Sequence, residues 1–251
     1  MKNLTIIFVF SILFFSCAPK ENILKKKSQL SSSVKILVVN SGHALNSKSP
    51  ISKFADWVKK SECDILFIQQ IEQPKSGQGG FNAVRSLAKN LDWNYYFGNA
   101  RYYEGFDSGN AIFSLFPVMQ TTTQDLPVSK GRVRRSLAFG VIDVGVTSLS
   151  CVSVEFDEEL KAERILQANN LKSFLKKYDD NLFLVCGSFY TNKTELAFKN
   201  LSDNFKSDNE NLSNVIRIFT SNSPKIEIES VKYLKSPLNN DGLLAVIKIL
   251  Q

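Results

Sequence analysis

The stretch Asp64-Ile65-Leu66-Phe67-Ile68-Gln69-Gln70 decides how this chain is read. A short apolar run without alternation, closed by polar residues, predicts a β-strand buried on both faces. Just before it, Ile51, Phe54, Ala55 and Val58 recur at i, i+3, i+4 and i+7, which is one stripe of a helix. Earlier still, residues 34–40 (VKILVVN) read as another strand. On the other side, Gly79-Gly80 precede a helix predicted over 81–91. Strand-like runs then accumulate at 93–97, 110–116, 137–144 and 149–156. A long helix is predicted over 158–178, with Leu160, Ile165, Ala168, Leu171 and Leu175 facing inward. Strands return at 182–187, 215–219, 228–234 and 243–250. No repeat or linker interrupts residues 34–251, so the pattern predicts one mixed α+β domain with many strands.

Composition narrows the function classes. A chain that is 43% hydrophobic and 22% charged is globular, not disordered or fibrous. His43 is the only histidine, which excludes any two-histidine mechanism and argues against a His-rich zinc site. The four cysteines contain no C-x-x-C pair, so zinc ribbons and thioredoxin-type motifs are excluded. A net charge of +7 is a mild bias rather than a nucleic-acid stripe. Residues 1–16 carry Lys2 and an apolar run at 4–15, shorter than the roughly 20 residues of a membrane span. Ser16-Cys17 ends the run, and the segment resembles a bacterial lipoprotein signal. That resemblance implies loss of 1–16, acylation (diacyl, palmitate-type) of Cys17, a flexible tether over 17–33 and a lipid anchor in the cell envelope. Cys63, Cys151 and Cys186 are expected as buried thiols, since the last two lie in apolar runs.

Five pieces in order resemble the endonuclease/exonuclease/phosphatase, or DNase I-like, family. The first strand ends at Asn40, where relatives place a metal-site Asn. Residues 64–70 are similar to D-I-(apolar)₃-Q-E, with Gln70 in place of the Glu. Ser108-Gly109-Asn110-Ala111-Ile112-Phe113-Ser114-Leu115-Phe116-Pro117-Val118 resembles G-N-A-I-L-S-R-Y-P-I. Arg135-Ser136-Leu137-Ala138 is similar to R-x-A-L, and residues 164–171 (RILQANNL) to R-x-x-Q-A-x-x-L. The implied fold is a four-layer α/β/β/α sandwich of two facing mixed β-sheets flanked by helices, spanning residues 34–251.

The implied chemistry is Mg²⁺-assisted phosphoester hydrolysis, and most positions that would perform it differ here. Asn40 is kept. Gln70 lacks the charge that grips a divalent ion. A catalytic His falls at Glu155, the water-orienting Asp at Ser188, the phosphate-binding Asn at Tyr190 and a further Asp at Ile216. The final S-D-H falls on Asn240-Asp241-Gly242, so Asp241 survives without the imidazole it would orient. With the imidazoles and key carboxylates gone together, the expectation is a domain that binds without catalysing and needs no cofactor. The alternative is a divergent Mg²⁺- or Mn²⁺-dependent phosphodiesterase, nuclease or phosphatase, with Asn40, Glu155 and Asp241 as its candidate ligands.

His43 reads as a solvated loop residue with no evident carboxylate partner, although it lies three residues past Asn40. Lys130, Arg132, Arg134 and Arg135 are candidates for holding an anion. Tyr95, Tyr96, Tyr102 and Tyr103 flank Arg101 and read equally as a recognition surface or as strand packing. Expected partners are a membrane, through the anchor, and a protein or polyanion, nucleic acid included.

Overall fold

A computed structural model of the chain describes residues 33–103, 105–178, 181–207, 215–238 and 240–250, with the Tyr103 side chain excepted. The signal segment, Cys17 and nearly all of the tether lie outside these residues. Two six-stranded sheets face each other. In chain order, the first contains β1 (Ser33–Asn40), β2 (Ile65–Pro74), β3 (Asn94–Tyr103), β4 (Phe106–Ser114), β11 (Ile226–Leu234) and β12 (Gly242–Ile249). The second contains β5 (Val118–Leu126), β6 (Arg135–Asp143), β7 (Ser148–Glu155), β8 (Leu182–Ser188), β9 (Phe205–Ser207) and β10 (Ile216–Ser221). Spatial order is β11-β12-β1-β2-β4-β3 in one and β5-β6-β7-β8-β10-β9 in the other.

Side-chain alternation explains the layers. Ile36, Val38, Ile65, Phe67 and Ile112 point between the sheets and meet Cys151, Leu184, Cys186 and Ile218. Leu37, Val39, Leu66 and Ile68 point outward and are covered by helices α1 (Lys48–Ser61) and α2 (Ala83–Leu91) through Ile51, Phe54, Val84 and Leu87. Leu137, Phe139, Val152 and Val154 are likewise covered by α3 (Lys161–Leu175) and α4 (Leu196–Ser202). Strands covered on both faces must be apolar throughout, as residues 65–68 predict. The result is the four-layer sandwich expected from the sequence.

Each sheet holds one parallel pair, β1 with β2 and β7 with β8, and the helices α1 and α3 lie between their members in sequence. Parallel pairing runs both strands of each pair toward the same edge, although β2 continues to Pro74. Asn40 therefore lies beside Gln69, and Glu155 beside Ser188. These four residues face one another across the sandwich, where Ser188 bonds both Asn40 and Gln69, and they form the mouth of the fold.

Three elements were not foreseen. Strand β5 (VMQTTTQDL) is a sheet edge with mostly polar residues and no apolar alternation to betray it. Helix α4 and strand β9 are only seven and three residues long. Leu160, expected to face inward, is 44% exposed because it precedes α3 instead of belonging to it. Glu163, Arg164 and Gln167 are buried in that helix along with Ala168 and Leu171. Cys63, Cys151 and Cys186 are buried as thiols, and burial pushes the Cys151 thiol far up. Among the described residues no helix is long and apolar enough to cross a membrane.

Candidate functional site

A bulge in β2 aims two side chains at the mouth. Ile68 pairs with Ala111 and Ile71 with Gly109, so Gln69 and Gln70 together oppose a single residue of β4. The extra residue takes a positive φ of 57° at Gln70. Ile68 and Ile71 can then both stay in the outer core while the glutamines between them turn inward.

The glutamines and Asn40 knit the sheets together. Gln69 Nε2 donates to Ser153 Oγ at 3.0 Å, and Ser188 Oγ donates to Gln69 Oε1 at 3.4 Å. Asn40 Nδ2 donates to Ser188 Oγ at 3.0 Å and to the Tyr190 hydroxyl at 3.1 Å, while Oδ1 accepts from the Gly42 amide at 2.9 Å. Burial, with the charges of Glu155 and Glu158, pushes the Tyr190 phenol well above its usual value, so it stays protonated. Both polar ends of Asn40 are thus engaged by the protein itself.

Glu155 sits in the middle of this arrangement and is 2% exposed. Its Oε1 accepts from Gln70 Nε2 at 2.5 Å. Its Oε2 lies 3.0 Å from Arg135 Nη1 and 3.4 Å from Arg101 Nη2. Burying a carboxylate costs far less when cationic and hydrogen-bonding partners surround it in this way. Asp157, two residues on, takes Arg132 on both oxygens at 3.0 Å and the amides of Glu159 and Leu160 at 2.9 and 2.7 Å. Arg164 then ties the Asp157 and Glu158 carbonyls to Glu195.

The mouth therefore brings together Asn40, Gln70, Glu155, Ser188 and Tyr190, all of them positions singled out in the sequence. Ile216 pairs with Ser188 but belongs to the core between the sheets. The end of the chain behaves differently. Asn240 reaches the mouth, its Nδ2 donating to the Asn40 carbonyl at 3.2 Å, and Asp241 is exposed beside it. Gly242 faces outward: a Cβ there would meet Trp57 Cη2 at 2.6 Å and Leu37 and Val39 at 3.1 Å.

Of the four cations proposed for anion binding, Arg132 is paired with Asp157 and Glu159, Arg134 with Asp125, and Arg135 with Glu155. Lys130 is exposed. Tyr102 is exposed with Arg134 5.3 Å and Lys75 5.7 Å from its ring, whereas Tyr96 hydrogen-bonds Thr123 and Tyr95 stacks on Phe113. The expectation for His43 is corrected: its Nδ1 lies 2.7 Å from Glu72 Oε1, a carboxylate 29 residues away that sequence spacing does not reveal. Arg101 and Gln69 are further site residues that the sequence reading left without a role. A polar pair closing an apolar strand was the available signal for Gln69.

Among the described residues, three of the six non-glycine residues with positive φ (His43, Gln70 and Tyr190) lie at or beside the mouth, and two others terminate helices. Strained backbone concentrates where side chains must be aimed.

The resemblance in the sequence implies Mg²⁺, and the donors of the mouth do not fit it. A divalent cation needs charged oxygens, but Glu155 is held between two guanidinium groups that would repel the ion. Among the described residues no three His, Cys, Asp or Glu side chains converge as a metal-binding group.

No family model and no curated protein matches the chain. Solved structures do. An endonuclease/exonuclease/phosphatase family protein from Leptotrichia buccalis is 16% identical, with a TM-score of 0.69, covering 86% of this chain and 100% of that one. The human Nocturnin catalytic domain with bound sulfate is 14% identical, with a TM-score of 0.68 and coverage of 88% and 96%. A mannosyl-6-phosphatase from Bacteroides thetaiotaomicron is 11% identical, with a TM-score of 0.64 and coverage of 85% and 99%. The sequence motifs and these structures agree on the fold: the chain is a DNase I-like sandwich.

Proposed function

We propose that this chain is a non-catalytic binding module on a DNase I-like scaffold, exported and held at a bacterial envelope membrane by an acylated Cys17. One observation carries the reading of the domain. Glu155, at the centre of the mouth, is clamped by Arg101, Arg135 and the Gln70 amide. A carboxylate so neutralised neither grips a cation nor takes a proton from water. The neighbouring Asn40, Ser188 and Tyr190 spend their polar groups on each other. What the mouth retains is a rigid, strained polar surface suited to holding a partner, a protein or a polyanion.

The purified protein should show no Mg²⁺- or Mn²⁺-dependent hydrolysis of DNA or bis-p-nitrophenyl phosphate. Turnover that disappears with EDTA and with Asn40→Ala overturns the reading. For the anchor, intact mass of membrane-extracted protein should show lipid on Cys17, and Cys17→Ala should move the protein to the soluble fraction.

A second reading, a divergent metal-dependent phosphoesterase, is favoured by the likeness to a mannosyl-6-phosphatase and by the His43–Glu72 pair. A carboxylate on Nδ1 fixes an imidazole's tautomer and orientation, as acid–base catalysis requires. Micromolar Mn²⁺ binding by calorimetry, lost in Glu155→Gln, would select it.

A further inference from the structure

We propose that a cleft at the end of the sandwich opposite the mouth binds an acidic sugar, a small carbohydrate carrying a carboxylate or phosphate beside its hydroxyls. The inference goes beyond the reading of the mouth and does not depend on whether the mouth catalyses.

The cleft is half-enclosed, with a volume of about 740 Å³. It lies between the C-terminal end of α3, the starts of β7 and β8, strand β9 and the turn from β10 to β11. A space of that size holds a small-molecule ligand. Strand β8 runs from Leu182 in the cleft to Ser188 in the mouth, which sets the two places about 20 Å apart.

The lining selects the ligand. Lys172, Lys176 and Lys225 all border the cleft, and no Asp or Glu does. None of the three forms an ion pair among the described residues. Cations gathered about one concavity without counter-charge attract an anion. Lys172 and Lys176 lie one turn apart at the end of α3, where a cation also complements the helix dipole. Lys225 comes from the β10–β11 turn and has no such role. Its backbone is pinned. Lys206 Nζ donates to the Ser223 and Ile226 carbonyls at 2.6 and 3.1 Å, and the Lys225 amide donates to Ser223 Oγ at 3.2 Å. A rim fixed in advance lowers the ordering cost of binding.

Amides stand between the cations. Asn181 Nδ2 donates to Ser150 Oγ and Asn204 Nδ2 to the Asn200 carbonyl, both at 3.2 Å. Their side-chain carbonyls, and the whole Asn222 carboxamide, make no hydrogen bond among the described residues. Carboxamides both donate and accept, as hydroxyls do. Phe183 is buried and Phe205 half-buried, packed edge to face with centroids 5.1 Å apart. The cleft therefore offers no exposed ring for a nucleobase to stack on. Lysines and amides without a stacking platform suit a sugar acid better than a nucleotide.

The test titrates D-glucuronate and glucose 6-phosphate into the purified full chain at fixed ionic strength, with glucose, acetate and AMP for comparison. Binding is read by saturation-transfer difference NMR. At least one acid sugar should bind about tenfold more tightly than glucose or acetate, and the tighter of the two names the acid group. Lys172→Gln with Lys225→Gln should weaken that binding about fivefold. Lys59→Gln with Lys89→Gln, an equal charge change at exposed positions of α1 and α2, should leave it unchanged. None of these lysines is buried, so both variants should keep native circular dichroism. Asn222→Ala keeps every charge and should also weaken the acid sugar. An unchanged affinity in Asn222→Ala leaves only bare charge attraction and overturns the sugar assignment. Equal losses in the two lysine pairs overturn the site, as do acid sugars that bind no more tightly than glucose and acetate. AMP binding more tightly than both acid sugars overturns the ligand class. Turnover at the mouth would defeat the non-catalytic reading and leave these readouts untouched.

Discussion

Asp157→Asn keeps the shape of a side chain at the entrance to α3 and removes its charge. The carboxylate is 2% exposed, accepts from the amides of Glu159 and Leu160, and takes Arg132 on both oxygens. Burial alone would raise its pKa. The Leu160 amide, Arg132 and the Glu159 amide outweigh burial and hold the carboxyl below the usual carboxylate range. Asparagine can still offer Oδ1 to the two amides, but its NH₂ faces the guanidinium with no bond to make. The loss is one charge-assisted, two-pronged contact, in the range of about 1.5–3 kcal/mol. Arg132 is partly exposed and retains Glu159, so the lower end, about 1.5–2 kcal/mol, is expected. For a domain of this size that corresponds to roughly 3–8 °C in Tm. Urea denaturation of both proteins at pH 7, 5 and 3 checks the origin of the effect. A carboxyl whose folded pKa lies below its unfolded value of about 3.9 stabilises fully above that value and loses its contribution as pH falls through the folded pKa. The gap between the two proteins should be full at pH 7 and 5 and narrowing by pH 3, below the unfolded value, where the unfolded chain takes up a proton that the folded carboxyl resists. A gap of equal size at pH 3 and 7, or a variant as stable as the native chain at pH 7, refutes the reasoning.

Arg135→Met removes a cation from beside the buried Glu155 and should cost about 3–5 kcal/mol in chemical denaturation, while Arg135→Met with Glu155→Leu should recover a large part of that loss. Gly242→His, which restores the imidazole at the matching sequence position, should yield no phosphodiesterase activity. It should also lower stability by about 1–3 kcal/mol, since the new Cβ runs into Trp57, as calorimetric melting would show.

The strands of the two parallel pairs were legible because strands buried on both faces leave unbroken apolar runs, as in 65–68, whereas their pairing was not. The family resemblance, carried by the order of the motifs, placed Asn40, Glu155 and Ser188 in one site, and the structure brings them together. The inward turn of Gln70 depends on a bulge, which no residue type in Gln69-Gln70 announces. The guanidinium of Arg101 reaches Glu155 from a strand of the other sheet, and the Glu72 carboxylate reaches His43 from a neighbouring strand. Contacts of that kind are set by register and leave no local pattern. Gly242 shows the opposite failure. A motif match placed it in the mouth, but strand parity turns it toward α1, with Asn240 reaching the mouth instead. Polar edge strands such as β5 stay hidden because exposure removes the alternation that marks a strand.

The first and last strands lie side by side, Val34 opposite Ile247 and Val38 opposite Leu243. Sheet closure therefore waits until residues 242–249 have been synthesised, roughly 200 positions after the strand they pair with. Such a long-range pairing implies slow, late-committing folding. It also leaves an emerging chain open to chaperone capture for as long as residues 242–249 are missing.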